Sequence, residues 1–462
     1  MKRIVGKENV QTSNAAKISY SFDATAGFQH SPDVIISPEN AEQIQAIVKV
    51  CHENKIPIVP RGSGTNLAAG TTPNEGGVVL LFNHLDKILE LDEENLTITV
   101  QPGVITQEVI EYVENKDLFY PPDPSSKKIS TIGGNVNENS GGLRGLKYGV
   151  TKDYVLGVKA VLSNGEILHT GGKLAKDVAG YDLTNLLVGS EGTLAIITEI
   201  TLKLLPKPTY KKTILTMFDS LELAGDAVSQ IISKKIIPTT LEFMDQGTVR
   251  VVEEFNKIGL PTDCEAILLI EQDGSEETVR EEMKAISNIC SQVGATEIHE
   301  AEDEYQAEQL RTARRDALSA LARLRPTTIL EDATVPRSKI AEMVREINRI
   351  SDKYDVMIQT FGHAGDGNLH PTCLTDLRNE KEMERVEHAL DEIFQASIDL
   401  GGTITGEHGV GEMKAPYLEW KVGKTGIDLM KNIKQAIDPH NILNPGKIFA
   451  KSTKKRVVVN NG

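Results

Sequence analysis

Three histidines and a glutamate mark where this chain could do chemistry. His363 and His370 sit in Phe361–His370, FGHAGDGNLH, with six residues between them. Four of these, Gly365 to Asn368, are turn formers, so a strand, a tight turn and a return strand would bring both imidazoles together. Glu407 follows in Gly406–Gly409, GEHG. Two imidazoles and one carboxylate make a ligand set for a divalent ion with open positions, and zinc, iron and manganese suit it comparably. His408, next to Glu407, is a candidate base because an imidazole titrates near neutrality, the alternative being a structural histidine. Arg314, in LRTARRD, could hold a substrate carboxylate with two N–H groups; the alternative is a solvated helix face. Cys373 could be a further ligand, though a buried structural thiol is the simpler reading.

Three glycine-rich elements occupy the other half of the chain. Pro60–Gly70, PRGSGTNLAAG, follows a strand-like run and would expose backbone N–H groups to a phosphate, with Arg61 adding charge. It is neither a nicotinamide-type GxGxxG, since Leu67 holds the place of the third glycine, nor a Walker loop. Thr131–Gly142, TIGGNVNENSGG, carries two Gly-Gly pairs and three asparagines. Such a run is expected to form neither helix nor regular strand, but backbone wrapped around a ligand. A polyproline-like corner, Tyr120–Ser126, precedes it, and Gly189–Gly192, GSEG, opens a later strand. Folding alone does not call for three such elements, and together they point to a cofactor.

The elements that must position these residues alternate along the chain. Strands are expected at Asp33–Ser37, Ile56–Val59, Val78–Phe82 and Leu96–Val100, with helices over Pro38–Asn54 and Ile105–Glu114. Leu194–Leu204 alternates cleanly and reads as a half-buried strand of a mixed sheet. Two prolines, Pro206 and Pro208, break the pattern and suggest a boundary. Beyond it, strands at Ile214–Phe218, Ala266–Glu271, Thr328–Ala333 and Val356–Phe361 alternate with charged amphipathic helices near 275–292, 303–324, 337–353 and 380–399. The segment after Ala450 is basic and polar and is expected to fray.

Composition bounds the function classes. A chain of 462 residues, 39% hydrophobic and 25% charged, can bury a large core and exceeds one usual domain. A formal net charge of -16 argues against nucleic acid as a partner. Four dispersed cysteines form no CxxC pair, which argues against an iron–sulfur cluster and fits a reducing compartment. The start, MKRIVGKENVQTS, lacks the apolar core of a signal peptide, and no run approaches the roughly 20 apolar residues of a membrane span. A cytoplasmic protein without a transmembrane segment is expected.

These motifs, taken in order, resemble a known family. PRGSGTNLAAG, PPDPSS, TIGGNVNENSGG, GSEGTLAIITEITLKL, FGHAGDGNLH, GEHGVGEMK and NPGKIF run through nearly the whole chain. They resemble the FAD-linked dehydrogenases of the vanillyl-alcohol oxidase/PCMH superfamily, of the D-lactate dehydrogenase and glycolate oxidase D-subunit type. The resemblance implies an α+β fold: a two-lobed α/β FAD-binding domain over 1–208, a cap domain with an antiparallel sheet and flanking helices over 209–405, and a segment over 406–462 that returns to the flavin. It places the FAD pyrophosphate on Arg61, Gly62, Ser63, Gly64, Thr65 and Asn66. Pro122 and Asp123, with Thr131, Gly133, Gly134, Asn139, Ser140 and Gly141, would line the flavin and its linker. Glu191, Gly192, Ile196 and Ile197 would complete the site, and Asn444 would close it. Covalent flavin relatives carry a histidine where this chain has Thr65, so non-covalent FAD is expected.

The same resemblance maps the metal ligands onto His363, His370 and Glu407, the base onto His408 and the carboxylate anchor onto Arg314. The D-2-hydroxyglutarate branch carries a lysine where this chain has Leu330, followed by Glu331 and Asp332. That difference favours D-lactate or glycolate, with D-lactate the expected substrate. Electrons would leave reduced FAD for a partner: an electron-transferring flavoprotein, an iron–sulfur subunit or a quinone. Rival readings are a non-catalytic FAD relay subunit, a flavin-free metal hydrolase and an oxygen-consuming oxidase.

Overall fold

Glycines, prolines and alternating apolar runs sort the chain into two units. The computed structural model describes Met1–Phe449, so the basic segment after Ala450 lies outside the described residues. The first unit comprises Met1–Ser140, Val150–Lys207 and the described residues from Glu407 onward. The second comprises Gly141–Gly149 and Pro208–Gly406.

The first unit is built on two main sheets. In one, Val34–Ile36 and Ile58–Arg61 both run parallel to Val78–Leu81. The helix Ala41–Asn54 makes the crossover that parallel pairing requires. Its start is set by Asn40, whose side chain accepts from Gln43 N at 2.9 Å. Ile44, Ile47, Val48 and Cys51 share one face at helical spacing and are fully buried with Ile36, Ile58 and Leu80. The other sheet orders Ile88–Asp92, Thr97–Val100, Ile196–Lys203, Val155–Val161 and Ile167–Gly171. Every pair in it is antiparallel, so the mixed sheet expected around Leu194–Leu204 is corrected. Tight turns join Ile88–Asp92 to Thr97–Val100 and Val155–Val161 to Ile167–Gly171, and such hairpins pair strands antiparallel. The C-terminal segment rejoins this unit: Ile58 N donates to Ile442 O at 2.7 Å, and Asn444 N to Ile58 O at 2.7 Å.

A second correction concerns Thr131–Gly142. Ile132–Glu138 is α-helical, capped by the Thr131 hydroxyl, which accepts from Gly134 N at 3.1 Å, and closed by Asn139 in the left-handed region at φ 54°. Gly133 serves close approach rather than unusual dihedrals. A Cβ there would lie 2.5 Å from Pro102 Cβ and 2.8 Å from its carbonyl oxygen.

The second unit carries an eight-stranded sheet. Its main path runs Glu297–Glu300, Tyr210–Phe218, Ala266–Gly274, Thr240–Asp245, Met357–His363, Asn368–Thr375 and Thr327–Leu330, all antiparallel. The expected strand over Thr328–Ala333 is broken at Glu331 and Asp332, and Ala333–Thr334 pairs separately with Leu369 and Asn368. The expected helix near 303–324 is likewise two, Glu304–Arg315 and Ala317–Leu321, joined at Asp316.

One face of this sheet packs on helices. Leu241, Phe243, Ile358, Leu369 and Cys373 join Ile231, Ile286, Ile347 and Ile393 in a single buried cluster. Alternation sends Glu242, Phe361, His363 and His370 to the opposite face. Among the described residues no helix is long and apolar enough to cross a membrane.

Candidate functional site

In the first unit, the strand end at Pro60–Arg61, the Thr131 helix and the Glu191 turn enclose a cavity of about 490 Å³, counting its open mouth. Of the residues expected to hold FAD, Arg61, Gly62, Thr131, Gly133, Gly134, Glu191, Gly192, Ile197 and Asn444 line it. Strand alternation separates Ile197, on the cavity, from Ile196, which is fully buried in the core. Several other expected contacts build the loops instead. The Asn66 side chain accepts from Ala68 N at 2.8 Å and Gly70 N at 2.6 Å. Gly64, at φ 71°, leaves room for the Arg61 guanidinium, while Ser63 and Thr65 stand off the lining. Pro122 is buried off the lining, and Asp123 pairs with Lys127 at 2.8 Å. Asn139 Oδ1 accepts from Lys152 N at 2.9 Å, and Ser140 O from the Thr151 hydroxyl at 2.8 Å. Gly141 belongs to the second unit.

Glu191 acts through its carboxylate on the returning chain. Its oxygens accept from Val410 N and Gly411 N, each at 2.7 Å. The Asn444 amide donates to Glu191 O at 2.7 Å and to Gly70 O at 2.9 Å. Glu407 and His408 therefore lie in a segment tied to the GSEG turn; they are 4.0 Å apart and His408 is buried. Burial pushes the Glu191 carboxyl up, against the pull of those two N–H groups. Glu138, within the Thr131–Gly142 run but not singled out from the sequence, also lines the cavity. Burial of its carboxyl, then the charges of Glu191 and Asp23, hold it well above the usual carboxylate range. The donors and space fit FAD: a buried guanidinium for the pyrophosphate, and glycine surfaces that admit a flat ring. A Cβ at Gly192, for example, would meet Pro60 Cγ at 2.5 Å.

In the second unit, the expected hairpin brings His363 and His370 together. Their ring centroids are 5.1 Å apart, edge to face, and both are buried. Gly367, at φ 87°, makes the turn. Cys373 points the other way, into the helix-packed core, where burial pushes its thiol up to about 12. This fits the structural reading rather than a ligand.

The residue that sequence reasoning missed here is Glu242. Its Oε1 lies 2.8 Å from His363 Nδ1, and its Oε2 lies 2.6 Å from Arg314 Nη2. Arg314 is no solvated helix residue: it is 1% exposed, with its guanidinium carbon 4.8 Å from the Phe361 ring centre. Arg311, one turn earlier on the same helix, pairs with buried Glu271. The only sequence signal for Glu242 was its place in TLEFMD, where it interrupts the apolar pattern between two core residues. Asp332 is also fully buried, accepting from the Thr405 hydroxyl at 2.7 Å and Gly406 N at 2.8 Å. An imidazole whose Nδ1 meets a carboxylate offers Nε2 to a cation, so the His363–His370 donor set fits a divalent metal.

Comparison with known proteins agrees with this layout. Residues 32–171 match the FAD binding domain family, and residues 207–448 match FAD linked oxidases, C-terminal domain. The chain is 64% identical to the glycolate oxidase subunit GlcD of Bacillus subtilis over 456 residues, covering 99% of this chain and 97% of the relative. It is 37% identical to a D-lactate dehydrogenase of Anaerostipes hadrus, covering 91% and 90%. The structure of p-cresol methylhydroxylase with substrate bound superposes with a TM-score of 0.80 at 19% identity, covering 97% of this chain and 95% of that one. With the α+β architecture in place, the chain belongs to the FAD-linked oxidases, and FAD is its cofactor.

Proposed function

We propose that this protein is a dehydrogenase that oxidises a small 2-hydroxy acid to the 2-keto acid, with FAD and a divalent metal. The observation that carries this reading is the buried face on which Glu242 joins Arg314 to His363, beside His370. Arg314 would anchor the substrate carboxylate. It is buried, and its Nε has no hydrogen-bond partner among the described residues. A guanidinium so placed favours an incoming anion. His363 and His370, with Glu407 as third ligand, would hold zinc, iron or manganese. His408 would accept the proton of the substrate hydroxyl. When bound, FAD supplies the acceptor for the hydride that leaves the substrate carbon, and the metal polarises the hydroxyl oxygen.

Identity to the Bacillus subtilis glycolate oxidase subunit moves glycolate ahead of D-lactate, the substrate expected from sequence. D-lactate stays as the second reading through the Anaerostipes hadrus relative. The four cysteines are buried and dispersed, so electrons from reduced FAD would pass to a partner. An iron–sulfur subunit, an electron-transferring flavoprotein or a quinone fits that role. The cytoplasm is the proposed location.

The test is anaerobic mixing of the yellow protein with glycolate, D-lactate, L-lactate and D-2-hydroxyglutarate, following the visible flavin band. Rapid bleaching by glycolate, more slowly by D-lactate, is expected. Bleaching by none of the four rejects the reading.

A further inference from the structure

We infer that Glu242 is a positioning residue that couples substrate anchoring to metal binding, by dividing its two carboxylate oxygens between Arg314 and His363. The inference rests on the roles proposed above for those two side chains. Glu242, Arg314 and His363 are 1%, 1% and 4% exposed, so water does not compete for these contacts. Strand register explains the meeting. Phe243 pairs with Gly362, which sets Glu242 and His363 on the same face of adjacent strands. The helix Glu304–Arg315 delivers Arg314 to that face, as it delivers Arg311 to Glu271.

An ionised carboxylate only accepts hydrogen bonds. The 2.8 Å contact to Oε1 suits the tautomer of His363 that carries its proton on Nδ1, and in that tautomer Nε2 is the nitrogen that would serve as a metal ligand. The 2.6 Å contact to Arg314 is short but not aligned as a hydrogen bond. The guanidinium is thus held by charge and by the Phe361 ring, while its Nε stays uncommitted. A substrate carboxylate that draws on Arg314 shares it with the group that orients His363. Anchoring and metal binding then become linked quantities.

Glutamine at this position exposes the coupling. It keeps the shape but offers one acceptor and one donor, whereas His363 and Arg314 both present donors. One of the two contacts must fail. The experiment uses the full FAD-loaded protein, with metal affinity read by elemental analysis after dialysis against graded chelator, and with KM and kcat for glycolate. Glu242→Gln is expected to weaken metal affinity ten- to hundredfold and to raise KM more than it lowers kcat. Arg314→Gln, which removes no ligand, is expected to weaken metal affinity several-fold, while Arg314→Lys retains it. The effects of Glu242→Gln and Arg314→Gln should be non-additive in the double variant.

Wild-type metal affinity in Arg314→Gln, with additive effects in the double variant, overturns the coupling. If Glu242→Gln does not fold, the two Arg314 variants decide alone: equal metal affinity in Lys and Gln overturns it. A wild-type protein that holds no divalent metal overturns the ligand role of His363 itself, a result distinct from loss of coupling in a metal-bearing protein.

Discussion

The two units build their sites from different materials. In the first, glycines at 62, 133, 134 and 192 bring backbone into the cavity wall, with carbonyls and N–H groups held by Asn66, Asn444 and Glu191. In the second, the candidate site is a set of buried charged and polar side chains on one sheet face, where Glu242 meets both Arg314 and His363. A backbone site tolerates variation in side-chain chemistry but not in volume. A charge site tolerates volume changes better than loss of a partner, because an unpaired buried charge is costly.

The largest expected effect tests that division at a proposed metal ligand. His370→Ala should lower anaerobic flavin reduction by glycolate about a thousandfold, with the visible flavin spectrum and FAD content unchanged. Loss of FAD in this variant would break the comparison, since the cofactor would then depend on the second unit's side chains.

A smaller effect is expected from adding a single methyl group in the first unit. Gly133→Ala places a Cβ 2.5 Å from Pro102 Cβ, so the Ile132–Glu138 helix must shift. Overpacking of this kind costs about 1–3 kcal/mol, which, if it falls on the FAD-bound state, corresponds to roughly five- to 150-fold weaker FAD binding. The ratio of flavin to protein absorbance after dialysis reads it directly. Unchanged FAD retention would show that the wall yields more than its backbone contacts imply.

A last effect, on stability rather than on activity or cofactor binding, sharpens the account of the second unit as a home for partly and fully buried charge. Asp245 caps the helix Gln246–Asn256, accepting from Thr248 N at 2.8 Å, and also accepts from Thr360 N. Burial pushes its carboxyl from 3.8 up to about 6. The native state therefore keeps a proton that the unfolded chain releases. That contribution is fully present below about pH 4 and is lost as pH rises to about 6. Relative to Asp245→Asn, the wild type should lose stability across this window, by on the order of 3 kcal/mol. Urea unfolding of both proteins at a series of pH values measures it, and parallel profiles would show that Asp245 does not carry the dependence.

Legibility in the sequence followed the same division. The alternating strands, the helix Ala41–Asn54 and the His363–His370 hairpin depend on residues within one or two turns of each other, and local pattern sufficed. The TIGGNVNENSGG run was misread as non-helical because glycine signals backbone freedom and tight packing alike. Only Pro102 against Gly133 distinguishes the two. Arg314 left two readings open until its burial was seen, and Glu242 was not singled out.

By itself the sequence determined the cofactor and the family, because a phosphate-bearing flavin is met by short glycine-rich segments whose chemistry is local. It also determined the histidine pair, because a turn of fixed length joins the two strands. Only the tertiary structure decided which carboxylate meets which imidazole. Glu242 and His363 lie 121 residues apart, and cross-strand register with the packing of one helix makes them neighbours. Long-range pairing of this kind leaves no periodic trace, since a lone glutamate in an apolar strand looks the same whether it faces water, a cation or an imidazole.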